Sequence, residues 1–251
     1  MNKHVIAVAG KGGVGKTSIS AAIVKYLVEN FPESRILAID ADPAIGLETA
    51  LGIKADYTVD DIRKEIAKAG EGDSTKMKAK ELLGESRFKM LDAMIEANGY
   101  SFLAVGRPET AGCYCGVNTY LKKAIQALAE EFDYVVIDGE AGVEQINRRV
   151  MDKVTHLFLI SDASKKGTDV IKTIHHVADS LGMTNSSSVI INRLPCEEYK
   201  QFIDVGDLPI SAYIQNDNEL ALTDMKGDSV LSLTEGATLI KGVYEAMNTL
   251  F

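Results

Sequence analysis

Tryptophan is absent from this chain of 251 residues, which holds only 5 prolines, 4 histidines and 3 cysteines. Three cysteines (Cys113, Cys115 and Cys196) are too few and odd in number, which speaks against a secreted disulfide framework. Basic residues are also short. The 27 Lys and Arg face 36 Asp and Glu, a formal net charge of −9 at pH 7. That surplus of acid disfavours a nucleic acid backbone or an anionic membrane as the main partner, yet it permits a local basic pocket for phosphates. No uninterrupted apolar stretch approaches the roughly 18 residues needed to span a bilayer. The run from Val5 to Gly10 is too short for a signal peptide, so the cytoplasm is the expected address. What remains is ordinary for a globular protein, with 46% hydrophobic and 25% charged residues, enough for a packed core.

Short apolar runs alternate with amphipathic stretches almost from end to end. The runs are His4–Ala9, Arg35–Asp40, Phe102–Val105, Tyr134–Asp138, His156–Ile160, Val189–Asn192 and Leu208–Ile214. Most are apolar on consecutive residues, as strands covered on both faces are. Between them lie Thr17–Glu29, Val117–Glu131, Thr168–Leu181 and Thr234–Met247, which have helical character. The pattern predicts an α/β fold, a doubly wound and mainly parallel sheet flanked by helices, as a single domain over residues 1–251. The exception is a Lys-, Glu-, Ala- and Met-rich stretch at about 54–99, which reads as a helical insertion broken near Gly70–Ser74. Thr58-Val59-Asp60-Asp61 is a candidate capping box at its start.

The strongest chemical signal is Gly10-Lys11-Gly12-Gly13-Val14-Gly15-Lys16-Thr17, a G-x-x-x-x-G-K-T loop between a strand-like and a helix-like run. Glycines let successive backbone N–H groups turn inward around a phosphate, and the following helix adds its positive dipole end. The expected nucleotide contacts are Gly12, Gly13, Val14, Gly15, Lys16, Thr17 and Ser18. Lys16 should reach the β- and γ-phosphates of ATP, and the Thr17 hydroxyl should ligate Mg²⁺.

A second lysine, Lys11, follows the first glycine. With it the loop resembles the deviant phosphate-loop ATPases, the superfamily of MinD, the ParA-type partition proteins and nitrogenase iron protein. The resemblance implies an ATP-bound homodimer in which Lys11 touches the nucleotide of the other subunit. It also implies catalytic roles for Lys11, Lys16 and Asp42. In Leu37-Ala38-Ile39-Asp40-Ala41-Asp42-Pro43, the family pattern puts Asp40 near the metal ion and makes Asp42 the residue that positions water. Val135-Val136-Ile137-Asp138-Gly139 offers Asp138 as a further carboxylate for Mg²⁺, although the following Glu140-Ala141-Gly142 departs from the family's proline-containing continuation. Ile190-Ile191-Asn192-Arg193 resembles the segment that reads the adenine edge, with Arg193 against base or phosphate. A strand end with a capping Asn192 is the structural alternative.

Cys113 and Cys115 lie between Gly112 and Gly116, in a segment leaving the carboxyl end of a strand. Thiolates at i and i+2 of an extended segment point to one side and can grip a soft or borderline metal ion. A complete four-sulfur site then needs the same pair from a second subunit; two packed or reactive cysteines are the alternative. Together with the loop, this pair resembles the CooC-type ATPases that serve nickel insertion into carbon monoxide dehydrogenase. That resemblance implies Ni²⁺ cargo, with Zn²⁺ competing, and carbon monoxide dehydrogenase as client. Cys196 reads as structural.

Two other readings stay open. An iron–sulfur reductase would use four cysteines from two chains, but nitrogenase iron protein draws its pair from separated loops. A MinD- or ParA-like positioning ATPase would bind membrane or DNA, yet Gly236–Phe251 carries one cation, Lys241, and makes a poor basic anchor.

Overall fold

The computed structural model describes residues 3–44, 46–69, 84–86, 88–107 and 115–251. The described strands are β1 (His4–Gly10), β2 (Ile36–Asp40), β3 (Ile95–Ala97), β4 (Tyr100–Ala104), β5 (Tyr134–Asp138), β6 (His156–Ser161), β7 (Ser187–Leu194) and β8 (Ile210–Gln215). They form one sheet in the order β3-β4-β2-β5-β1-β6-β7-β8. Every pairing is parallel except the edge hairpin β3–β4. Among the described residues, the α-helices include α1 (Lys16–Asn30), α2 (Leu47–Leu51), α3 (Val59–Ala69), α4 (Cys115–Ala129), α5 (Glu144–Arg149), α6 (Lys165–Ser180), α7 (Asn218–Lys226) and α8 (Thr238–Met247).

The apolar runs are continuous because both sheet faces are covered. Val5, Ala7 and Ala9 of β1 face one core with Leu37, Ile39, Val135 and Ile137, beneath α3, α4, α5 and α6. Ile6 and Val8 face the other, with Ala38, Val136 and Phe158, beneath α1, α2 and α8. Alternate residues of each strand thus serve different layers. None of the helices among the described residues is long and apolar enough to cross a membrane.

Residues 54–99 differ in part from a purely helical stretch. Residues 59–69 and 88–93 are helical, but Ile95–Ala97 pair with Tyr100–Ala104 as an antiparallel edge. A three-residue strand is too short to show periodicity, and tertiary pairing decides it. The break at Gly70–Ser74 lies outside the described residues.

The capping box is formed. Thr58 N donates to Asp61 Oδ2 at 3.0 Å, and Asp61 N donates to Thr58 Oγ1 at 3.3 Å. The same threonine hydroxyl donates to Asp61 Oδ2 at 2.7 Å. These bonds satisfy otherwise orphaned amides and bring negative charge to the helix start. Asp61→Ala is expected to cost about 1 kcal/mol, a fall in Tm of roughly 2–4 °C. Urea and thermal unfolding followed by circular dichroism measure it.

Candidate functional site

Parallel pairing brings the carboxyl ends of β1, β2, β5, β6 and β7 to one edge, and the phosphate loop leaves β1 there. Two of its glycines leave no room for a side chain. Gly10 has φ of 154°, and a Cβ there would lie 2.1 Å from the Ile160 carbonyl oxygen of β6. Gly15 has φ of 89°, and its Cβ would come within 2.6 Å of Asn192 Nδ2. Gly15 is also the N-cap of α1, with no side-chain cap. The first amides of α1 are therefore left for an anion, which the helix dipole favours. Lys16 is buried and its Nζ donates to the Lys11 carbonyl at 3.4 Å. Thr17 and Ser18 are half-buried in the first turn. Gly12 and Gly13 are exposed, while Val14 is buried in the core under the loop.

Two carboxylates sit side by side on this edge. Asp40 and Asp138 are register partners of β2 and β5, and both are fully buried. Asp40 Oδ1 accepts from Asp42 N at 3.0 Å and Oδ2 from Leu47 N at 2.8 Å. Asp40 therefore ties down the backbone at Asp42 and at Leu47, the first residue of α2. Burial, then the facing charge of Asp138, push Asp40 up to about 7, against the pull of the two amides. Asp138 Oδ1 accepts from the Ser20 hydroxyl at 2.9 Å. Its Oδ2 is buried with no hydrogen-bond partner among the described residues. Burial pushes Asp138 up to about 6, against the hydroxyls of Thr17 and Ser20 and the charge of Lys16. An orphaned carboxylate oxygen associated with a threonine hydroxyl is a donor set that suits a hard divalent cation.

Asp42 is half-buried, and its Oδ1 accepts from Ala44 N at 2.9 Å. It lines an open cavity of about 420 Å³ with Pro43, Ala44, Arg107, Glu140 and Gln145. Arg107 and Gln145 gave no motif in the sequence. Glu140 thus stands beside Asp42 where the family pattern runs on to proline.

Asn192 and Arg193 brace the loop. Asn192 Nδ2 donates to Val14 O at 2.8 Å, and an Arg193 guanidinium N–H donates to Gly13 O at 2.9 Å. Arg193 adopts φ of 56°, the left-handed region, while its amide donates to Asn192 Oδ1 at 2.9 Å. Both residues also line a cavity of about 340 Å³ with Gln215, Asn216, Asp217 and Asp224. These last four carry no motif. Asp217 is also structural, because it accepts from Glu219 N and Leu220 N at the start of α7 and from Leu239 N of α8.

Cys113 and the side chain of Cys115 lie outside the described residues. Among those described, no group of three or more His, Cys, Asp or Glu residues could hold a metal ion. Cys196 is half-buried beside the turn Glu197–Phe202, and a hydrogen bond with Glu198 raises its thiol pKa.

The profile of the AAA domain family AAA_31 matches residues 3–191. The chain belongs to that family. It is an ATPase with the MinD/ParA phosphate-loop fold. The AAA domain chain is 36% identical to the uncharacterized ATP-binding protein MJ0685 of Methanocaldococcus jannaschii, over 96% of both chains. It is 25% identical to the carbon monoxide dehydrogenase accessory protein CooC of Rhodospirillum rubrum, over 87% of this chain and 88% of that one. Among solved structures, the septum site-determining protein MinD of Pyrococcus horikoshii, complexed with Mg-ADP, superposes with a TM-score of 0.71 at 18% identity. That match covers 99% of this chain and 96% of the other.

Because the raised pKa values mean that the native AAA domain protein holds these protons more tightly than the unfolded chain, the two carboxyls add stability as pH falls from about 7 toward 4. The same contribution is lost as pH rises through the native values. Asp138→Asn removes one buried charge, so the ligand-free Tm at about pH 8 should rise by roughly 3 °C or more. The gain should shrink near about pH 5, where the native carboxyl is already protonated. A calorimetric series across that range reads both.

Proposed function

We propose that this ATPase is a homodimeric metallochaperone that carries Ni(II), or Zn(II) in its place, on Cys113 and Cys115 of two chains and assists nickel insertion into carbon monoxide dehydrogenase. The observation that carries the reading is where the cysteine-bearing segment is anchored. β4 ends at Ala104, the register partner of Asp40, and α4 starts at Cys115. Val105 N donates to Asp40 O at 2.8 Å, so the segment leaves β4 beside the end of β2, the strand that leads into Asp42. Likeness to the carbon monoxide dehydrogenase accessory protein supports the same reading.

On this reading, the loop amides and Lys16 take the β- and γ-phosphates, and the Asn192 and Arg193 cavity takes the base. Thr17 and Asp138 would hold Mg²⁺, which supplies positive charge beside the phosphates when bound. Asp40, whose oxygens already accept amides, holds Asp42 and Leu47 in place. Asp42 orients the water that converts ATP to ADP and phosphate. Lys11 serves the nucleotide of the partner subunit. Metal and nucleotide both favour the dimer, and linkage makes their coupling reciprocal.

Metal analysis and sedimentation with Ni²⁺, Zn²⁺, ATP and ADP, separately and together, test this. One metal ion per two chains is expected, and Cys113→Ala or Cys115→Ala should abolish it while leaving nucleotide binding intact. Unchanged metal stoichiometry in those variants, or full loading of a single chain, overturns the reading. A brown, iron-containing anaerobic preparation would point to an iron–sulfur reductase. ATP-dependent binding to anionic liposomes or DNA would point to a positioning ATPase. Lys11→Ala should suppress both hydrolysis and the ATP dimer; normal hydrolysis would remove Lys11 from catalysis.

A further inference from the structure

The Lys11 side chain reaches toward the end of β6. Its Nζ donates to Asp162 Oδ2 at 3.2 Å, across 151 positions of sequence. The anion is built in. Asp162 follows β6, and its Oδ1 accepts from Ser164 N at 3.1 Å and from the Ser164 hydroxyl. Ser164 is the N-cap of α6 and accepts from Gly167 N at 3.0 Å. A Cβ at Gly167 would lie 2.3 Å from Asp162 Oδ1, so a glycine there lets the carboxylate lie against the helix's first turn. That end of α6 carries positive dipole charge, which suits a carboxylate.

The lysine is the half that can leave. About a third of each side chain is exposed, 31% for Lys11 and 33% for Asp162, so water screens the pair. Burial works to raise the Asp162 pKa, but hydrogen bonds from Ser164 and Lys11 outweigh it and hold the carboxyl below the usual range. It is therefore charged at neutral pH. The Lys11 backbone is held separately, since its carbonyl accepts from Lys16 Nζ at 3.4 Å. A bound triphosphate would claim Lys16 and offer Lys11 a stronger anion.

We propose that Asp162 is a positioning residue that parks the Lys11 ammonium within its own chain, so that ATP-driven self-association has to break this ion pair. The proposal rests on the reading that Lys11 serves a partner's nucleotide. The parked pair then sets the threshold for assembly, and ADP, with fewer charges to offer, leaves Lys11 with Asp162.

Asp162→Asn tests it, because the amide oxygen can still accept from Ser164 while the charge is gone. Sedimentation in ATP and Mg²⁺ should show dimerisation strengthened about threefold to tenfold. ATP turnover should reach half-maximum at correspondingly lower protein concentration. That gain should shrink at high ionic strength, where salt already screens the Lys11–Asp162 pair, which a merely structural Asp162 would not obey. Unchanged or weakened assembly of Asp162→Asn, or a gain that does not depend on salt, overturns the proposal. If the unsubstituted chain stays single in ATP at every concentration, the dimer reading itself fails, and that outcome is distinct from the others.

Discussion

A parallel sheet delivers every strand's carboxyl end to one edge, and the register of β2 with β5 makes that edge electrostatically demanding. Asp40 and Asp138 lie directly abreast and without solvent. Two like charges in such a place disfavour their own ionisation, and the surroundings are arranged to offset part of that cost. Asp40 draws in two backbone amides and so anchors both Asp42 and the first residue of α2. Asp138 takes the Ser20 hydroxyl on one oxygen, and the other has no hydrogen-bond partner among the described residues. The site is thus structurally complete around Asp40 and incomplete around Asp138. A cation is what would complete it.

The phosphate loop depends on the same edge from the other side. Gly10 passes so close to Ile160 of β6 that no side chain fits. Asn192 and Arg193 of β7 then hold Val14 and Gly13 by their carbonyls. Three strands, β1, β6 and β7, therefore hold one loop, through contacts made directly on its backbone.

Much of this was legible in the sequence where the determinant is local. Doubly covered strands show as unbroken apolar runs, and the loop's glycines and Thr58–Asp61 carry their geometry in their spacing. The short β3 was not legible, since three residues have no period. Neither was the dual bonding of Asn192, which reads as a base contact or a strand cap until Val14 is placed beneath it. The Lys11–Asp162 pair joins residues whose proximity follows only from β1 pairing with β6. Asp217 shows its N-capping type in the sequence, but its bond to α8 requires two helices to be docked.

Arg193 illustrates what such bracing does for binding. A non-glycine residue in the left-handed region carries local strain, and here the strand end and the guanidinium bond to Gly13 hold it there. Together with Asn192, it winds the loop before any ligand arrives. The conformational entropy of that winding is lost when the chain folds, not when the nucleotide docks. Nucleotide recognition then resembles a key entering a finished lock.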